Sequence, residues 1–362
     1  MVGCVLASPH GAVLGEGWHI RFGGAHAEPT ALQDAADRQN VARGAIACVT
    51  LEPCCHTNKK TPPCAPRLIA AGVARVVVGC LDPNPDVNGK GIAMLRAAGI
   101  EVEIAPPRLR DECRQLIAPF VALTTHRRPY VTLKWAETAD GHVAGPRGQR
   151  LKITNAASDL LVHTLRARCD AIAVGTNTVL SDDPLLTARG PSFDRVVRRV
   201  VMSNTLKIPL KSRLVQTARQ TPTIVYCSER STRNHPAAAA ALTEAGVELV
   251  ALPVREGDRF SATDMLGDLA ARGVAHLLIE PGPTLARHLL GRSQADRVWV
   301  FRSPRRLDAP EELAISRAPH LDYPVTAQID VEGDVLTEYL NPASDVFFAP
   351  AASADIELTR QG

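Results

Sequence analysis

Two segments, HAEPTAL (residues 26–32) and LEPCCHTNKKTPPC (residues 51–64), decide how this 362-residue chain is read. The first sets His26 two residues before Glu28; the second gathers Cys54, Cys55 and Cys64 among prolines. Around them the pattern alternates between strand and helix. AEPTALQDAADRQN (27–40) has helical composition, with Pro29 tolerated because it falls in the first turn. AIACVTLEP (45–53) reads as a buried strand, and PPCAPRLIAAGV (62–73) as a helix opened by prolines and closed by glycine. Upstream, VGCVLA (2–7) and AVLGEGWH (12–19) predict a hairpin. Downstream, RVVVGCLDPNP (75–85), GIAMLRAAGI (91–100) and EVEIA (101–105) predict strand, helix and strand. The result is an α/β layer domain of roughly 105 to 120 residues.

PPRLRDECRQLIAPFVALTTHRR (106–128) reads as a helical connector, and a second alternating pattern follows it. PYVTLKWA (129–136), DAIAVG (170–175), RVVMS (199–203), TIVYC (223–227), VELVAL (247–252), HLLIE (276–280) and RVWVF (297–301) are strand candidates. RPYVTLKWAETADGHVA (128–144) predicts a strand, a turn and a second short strand, and HPAAAAALTEAG (235–246) a plain alanine-rich helix. The last sixty residues carry little periodicity and receive no assignment. The expected domains are residues 1–122 and 123–362.

Composition narrows the function classes. A net charge of +3, with Lys and Arg spread along the chain, points neither to nucleic acid nor to a membrane surface. Aromatics at 4% are too few for a single-strand stacking platform. No apolar run reaches membrane-spanning length, and MVGCVLASPHG lacks the basic start and apolar core of a signal peptide, so a cytoplasmic protein is expected. Nine cysteines, six of them in the first eighty residues, favour reduced thiols or a metal site over a disulfide framework.

One histidine and two cysteines suit zinc, which prefers nitrogen and sulfur ligands and, in catalytic sites, keeps one position open for water. Zinc lowers the pKa of that water to near neutrality. A carboxylate beside the metal, but not ligating it, can shuttle protons to a leaving nitrogen. H-x-E followed by P-C-x-x-C is the pattern of zinc nucleobase deaminases. His26-Ala27-Glu28 and Glu52-Pro53-Cys54 fit it, whereas Cys64 lies well beyond the usual two-residue gap. A structural zinc site or small core thiols are the competing readings, and Cys4, Cys48 and Cys80 on strands read as core.

Through GEGWH, HAE, VTLEPC, KTPPC, LIAAGVARVVVGCLDPNP and GKGI, the chain resembles the bifunctional deaminase–reductases of riboflavin biosynthesis, whose second cysteine ends a longer loop in T-P-P-C. The resemblance implies a cytidine-deaminase-like α/β/α domain followed by a dihydrofolate-reductase-like α/β domain. It implies zinc on His26, Cys54 and Cys64, Glu28 as proton shuttle, and substrate contacts at His19 and Lys60, with Cys55 a bystander. The cysteine loop is one residue longer than the family's commonest form, which keeps Cys55 open as a ligand. The family also carries an N-terminal helix and an Asn-Pro before V-G-C, where this sequence reads MVGC. A second reading follows from that difference: a single-activity NADPH reductase whose deaminase half is a zinc-stapled structural domain.

In the second half, HTLRARCDAIAVGTNTVLSDDPLLTAR (163–189) gives a helix with Arg166, a buried strand, and a polar loop with Asp182, Asp183 and Arg189. Arginine forks and helix starts suit a phosphate. HLLIEPGPTLARHLL (276–290) is a strand, a Gly/Pro turn and a helix, able to set amide donors against cofactor phosphates. No G-x-G-x-x-G follows a strand, so a standard dinucleotide fold is not expected. Taken singly, Arg166 reads as a solvated helix residue, the aspartates as a turn cap, and Glu280 as a strand end. Their order resembles the reductase domain of the same family. That resemblance implies NADPH contacts at Ala136, Lys152, Thr178, Asp182, Ser203 and the Gly282-Pro283-Thr284-Leu285 turn. It implies ribosyl-phosphate contacts at Arg150, Arg166, Leu186, Arg189 and Glu280. Two positions depart from the family: Arg150-Leu151-Lys152-Ile153-Thr154 replaces S-x-W-I-T, and Pro281 removes an amide donor from the turn after Glu280.

The implied activity is zinc-dependent deamination of 2,5-diamino-6-(5-phosphoribosylamino)pyrimidin-4-one, then NADPH-dependent reduction of its ribosyl group to ribityl. The expected partner is that small molecule, with no nucleic acid and no membrane, and the resemblance suggests a homodimer or larger assembly. A nucleic-acid-editing deaminase would show a basic stripe with exposed aromatics, and the sequence has neither.

Overall fold

The expected N-terminal hairpin forms as β1 (Gly3–Ala7) and β2 (Val13–Trp18) in the computed structural model. The model describes residues 1–20, 23–57, 61–145, 151–190, 196–255, 260–307, 317–344 and 346, so Lys60 and Arg150 lie outside the described residues. The chain divides into two units, Met1–His126 and Arg127–Asp345. In the first, the hairpin leads through α1 (Ala27–Asp37) to β3 (Ile46–Val49). Then come α2 (Cys64–Ala71), β4 (Arg75–Val78), α3 (Lys90–Ala97), β5 (Glu101–Ile104) and α4 (Pro107–His126). The sheet runs β2-β1-β3-β4-β5, antiparallel up to β3 and parallel beyond it. Every second strand residue (Cys4, Leu6, Ala47, Val49, Val76 and Val78) joins the inner faces of α1, α2 and α3 in one core, as the period of a strand requires.

The contact between α1 and β2 is made by the smallest residues available. Ala27, Ala31 and Ala35 form the buried stripe of α1, spaced at i, i+4 and i+8. They meet Gly15 and Gly17 of β2. A Cβ on Gly17 would lie 2.4 Å from the Ala31 nitrogen and 2.5 Å from the Ala27 oxygen. One on Gly15 would lie 2.5 Å from the Ala31 oxygen.

The second unit opens with β6 (Tyr130–Glu137), α5 (Ala156–Arg168), β7 (Ala171–Gly175), α6 (Thr176–Asp182) and β8 (Arg198–Met202). It continues with α7 (Arg213–Gln216), β9 (Thr223–Ser228), α8 (Glu229–Asn234), α9 (Pro236–Glu244) and β10 (Glu248–Leu252). Next come α10 (Ala262–Ala271), β11 (His276–Ile279), α11 (Pro283–Leu290) and β12 (Arg297–Arg302). The hairpin of β13 (Val325–Val331) and β14 (Asp334–Leu340) ends it. The nine-stranded sheet runs β10-β9-β8-β7-β11-β6-β12-β14-β13, parallel up to β12 and antiparallel at the last two strands. Alternate residues of β7, β9 and β11 enter two cores, one on each face, which is why these strands read as unbroken apolar runs.

All seven strands expected in this unit form, and two features differ from the sequence reading. The second short strand after ETADG is absent among the described residues: His142 makes only an isolated bridge to Arg317. The Thr138 hydroxyl, donating to Asp140 at 2.6 Å and accepting from the His142 amide at 3.0 Å, closes a tight turn there instead. Conversely, the unassigned tail supplies β13 and β14. β13 is an edge strand exposed along most of its length, so it carries no buried alternation to detect. Among the described residues no helix is long and apolar enough to cross a membrane, and all nine cysteines are free.

Gly17→Ala is expected to destabilise the first unit by about 1–3 kcal/mol, since backbone atoms of α1 must give way. Gly267→Ala, in open space inside α10, is expected to be neutral or stabilising by up to about 1 kcal/mol. Urea unfolding of both variants with hydrogen exchange of β1–β3 checks the contrast.

Candidate active sites

The turn carrying Cys54 is clamped before any metal is considered. The buried Glu52 carboxylate accepts the amides of Gly89 (2.9 Å), Gly91 (3.0 Å), Ile92 (3.2 Å) and Asp82 (3.3 Å), capping the start of α3. Gly91 packs so closely on the turn that a Cβ would lie 2.1 Å from the Pro53 oxygen. The Cys54 carbonyl in turn accepts the amides of Cys64 (3.0 Å) and Ala65 (3.1 Å), which fastens the first turn of α2 to it. His26 is the N-cap of α1. Two helix starts and one strand exit therefore bring the three expected ligands together.

His26 Nδ1 lies 3.6 Å from Cys54 Sγ and 3.5 Å from Cys64 Sγ, with all three ligand atoms within 4.8 Å of one another. A tetrahedral zinc with bonds of about 2.3 Å to sulfur and 2.0 Å to nitrogen separates N from S by roughly 3.5 Å, so the donor set fits. The neighbouring Cys54 sulfur and burial push the Cys64 thiol well up; a divalent cation among these donors reverses that preference. Cys55 is half-buried and outside the cluster. Glu28, 3% exposed, sits beside the Cys64 thiol in the first turn of α1. Burial raises its carboxyl above the ordinary range, opposed by a backbone hydrogen bond and by the Cys64 contact. His19 meets His26 edge-on, ring centres 5.5 Å apart.

In the second unit a cleft of about 1820 Å³ runs along the C-terminal ends of β6, β11, β7 and β8, where open α/β sheets take their ligands. Of the expected cofactor residues, Ala136, Lys152, Thr178, Asp182 and Gly282–Leu285 line it. Ser203 does not: it is buried, and its hydroxyl accepts the Leu206 amide at 3.1 Å, shaping the turn after β8. Lys152 is held at the cleft by Asp159 at 2.9 Å.

Of the expected substrate residues in this unit, Glu280 lines the cleft, whereas Arg166, Leu186 and Arg189 are not among its lining residues. Arg166 grips Glu280 through two parallel hydrogen bonds of 2.7 Å. Burial alone would raise the Glu280 carboxyl; Arg166, aided by Lys134, outweighs it and holds the group ionised below the ordinary range. Lys134, to which the sequence reading gave no role, also lines the cleft, its Nζ 5.5 Å from the Phe301 ring centre. Burial lowers its pKa and Glu280 opposes the fall. The signal was a lone cation in the apolar strand β6.

Two family models match the chain. One, described as the cytidine and deoxycytidylate deaminase zinc-binding region, covers residues 1–80; the other, the RibD C-terminal domain, covers residues 129–311. The riboflavin biosynthesis protein RibD of Aquifex aeolicus is 38% identical over 304 residues, spanning 84% of this chain and 80% of the relative. That of Escherichia coli K12 is 34% identical over 316 residues, spanning 84% and 82%. Among solved structures, the diaminohydroxyphosphoribosylaminopyrimidine deaminase/5-amino-6-(5-phosphoribosylamino)uracil reductase of Thermotoga maritima gives a TM-score of 0.75 at 30% identity, covering 94% of this chain and 91% of its own. Acinetobacter baumannii RibD gives 0.74 at the same identity and coverage. With a cytidine-deaminase-like domain followed by a dihydrofolate-reductase-like one, and relatives matched along most of their length, the chain belongs to the RibD family of bifunctional deaminase–reductases of riboflavin biosynthesis.

Proposed function

We propose that the first unit hydrolyses the ring amine of 2,5-diamino-6-(5-phosphoribosylamino)pyrimidin-4-one with zinc held by His26, Cys54 and Cys64, and that the second reduces the ribosyl group of the product with NADPH. The observation that carries this reading is the convergence of those three ligand atoms beside the buried Glu28. When bound, zinc supplies a Lewis acid and a water acidic enough to ionise near neutral pH. Glu28, its affinity for protons raised by burial, takes the proton that water gives up and returns it to the leaving amine. Water adds at the ring carbon, the C–N bond breaks and ammonia leaves. His19, against the His26 ring, and Lys60 contact the pyrimidine.

When bound, NADPH would supply a hydride for the sugar's C1, with a proton from solvent for the ring oxygen whose bond to C1 breaks, giving the open ribityl chain. The protein's part is placement. Gly282 caps α11, and because Pro281 and Pro283 lack amide protons, Gly282, Thr284 and Leu285 are the amide donors at the helix start for the cofactor's phosphates. Ala136, Thr178 and Asp182 line the cofactor's path, Ser203 sets the turn beside it, and Lys152 offers a cation at the cleft. Arg150, Arg166, Leu186, Arg189 and Glu280 meet the ribosyl-phosphate substrate, with Arg189 the cation for its phosphate.

Zinc-loaded protein without NADPH is expected to release ammonia from the diaminopyrimidinone, and Glu28→Gln to slow that release at least about 100-fold with zinc content unchanged. Cys54→Ser and Cys64→Ser are expected to lose zinc and Cys55→Ser to keep it, as metal analysis reads. Absence of ammonia release, with NADPH still consumed on the deaminated substrate, would leave the first unit a structural domain. In the second unit Glu280→Ala strands Arg166 and Lys134, and is expected to cost about 3–5 kcal/mol in urea unfolding.

A further inference from the structure

The loop Asp183–Arg189, which carries two of the expected substrate residues, is held at every second residue by a basic side chain. The amide and Nε of Arg213 donate to Asp183 Oδ1 and O, both at 2.8 Å. Arg199 Nη1 donates to the Leu185 carbonyl at 3.4 Å, and Arg166 Nη1 to the Thr187 carbonyl at 3.4 Å. Arg199 is fully buried, its other bonds going to neutral oxygens such as Thr217 Oγ1 and Thr223 Oγ1, so it is a fixed post. Leu186 has φ of 48°, a left-handed conformation that a leucine does not choose by itself, so external bonds hold this loop rather than local preference. The fourth hold has the opposite polarity. The Arg189 amide donates to His163 Nδ1 on α5 at 3.2 Å.

We propose that His163 is a positioning residue of the reductase: its neutral imidazole fixes the Arg189 backbone and thereby aims the Arg189 guanidinium at the substrate's phosphate monoester. The inference rests on the reading, given above, that Arg189 meets that phosphate. A nitrogen that accepts from an amide carries no proton, so the ring is the tautomer protonated at Nε2. The charged groups facing it are Arg166 and Asp159 from α5, Arg189 from the loop, and Glu280 from the end of β11. Burial first, then the two guanidinium groups, lower the imidazole's pKa, with Asp159 and Glu280 opposing. The ring is therefore neutral at pH 7 and the hold is present there. As pH falls below the ordinary histidine value of about 6.5, Nδ1 takes a proton, ceases to accept, and sets a third cation beside Arg166 and Arg189. Of the four basic side chains, His163 alone lets go on protonation.

The test is steady-state reduction of the deaminated substrate by the full chain with NADPH, between pH 5.5 and 8. His163→Leu is expected to raise KM about 3- to 10-fold at neutral pH, the loss of one hydrogen bond, with kcat at saturation unchanged. His163→Asn, whose side-chain oxygen accepts without titrating, is expected to restore the neutral-pH KM. It is also expected to show a smaller rise of KM on acidification than the unmodified protein. The substrate's own phosphate titrates near pH 6 in every variant, so the difference between profiles isolates the imidazole. Identical profiles for the unmodified protein and His163→Asn, or an unchanged KM in His163→Leu, would overturn the proposal. Arg189→Ala separates the two claims: an unchanged KM there removes the phosphate reading itself. A raised KM there with silent His163 variants removes only the role of His163.

Discussion

The glycine–alanine seam between α1 and β2 sets the geometry on which the metal cluster depends. At 2.4 Å from a would-be Cβ to the helix backbone, no side chain fits on Gly17. Restoring an ordinary contact of about 3.5 Å would push α1 outward by roughly 1 Å. Metal ligand distances tolerate about 0.2 Å. Because His26 caps α1 and Glu28 lies in its first turn, that displacement reaches both the ligand and the proton carrier. Small residues in a core usually mean thin packing. Here they convert a sheet edge into a ruler for the start of the helix.

Cys54 and Cys64 are set mainly by hydrogen bonds, with Gly91 packed against the Cys54 turn. One carboxylate, Glu52, satisfies four amides that belong to the start of α3 and the loop before it, and so fixes the residue two positions before Cys54. The Cys54 carbonyl then serves as the platform for α2, whose first residue is Cys64. A thiolate at a helix start is favoured by the unpaired amides and the helix dipole. The His26–Cys54–Cys64 cluster is thus assembled by groups that also end a strand and begin helices.

These dependencies explain what could be read from the residues alone. The ligand set was legible because zinc's preference for nitrogen and sulfur is local chemistry, independent of packing. The choice between Cys54 and Cys55 was not, since it turns on which carbonyl receives the α2 amides. The parallel strands were legible because burial on both faces leaves unbroken apolar runs, whereas the edge hairpin β13–β14 offers no such contrast. Arg166 and Glu280 each drew attention separately, yet 114 residues of separation hid that they form one pair. Ser203 and Leu186 were placed by position as contacts; in the fold both are buried, Ser203 accepting the Leu206 amide and Leu186 taking a left-handed backbone, features no linear pattern announces. Lys134 has no neighbour in the sequence to give it meaning; Glu280, which faces it in the fold, lies far along the chain.

The two units pose opposite electrostatic problems. In the first, two thiols and a carboxyl crowd one histidine; the Cys54 sulfur and burial drive the Cys64 thiol, and burial the Glu28 carboxyl, toward their neutral forms. Such a cluster becomes stable as anions only around a cation. In the second, Lys134 and Arg166 face Glu280 and, more weakly, Asp159, and Arg189 stands nearby on its pinned loop. That excess of positive charge is desolvated in part, and a buried charge left without a partner is costly. A bound anion would offset that excess in the second unit, as a bound cation would offset the opposite excess in the first. Any group that binds only the folded unit stabilises it by an amount that grows with the logarithm of its concentration over the dissociation constant. Affinity and stability in this enzyme are the same electrostatic imbalance, measured from two sides.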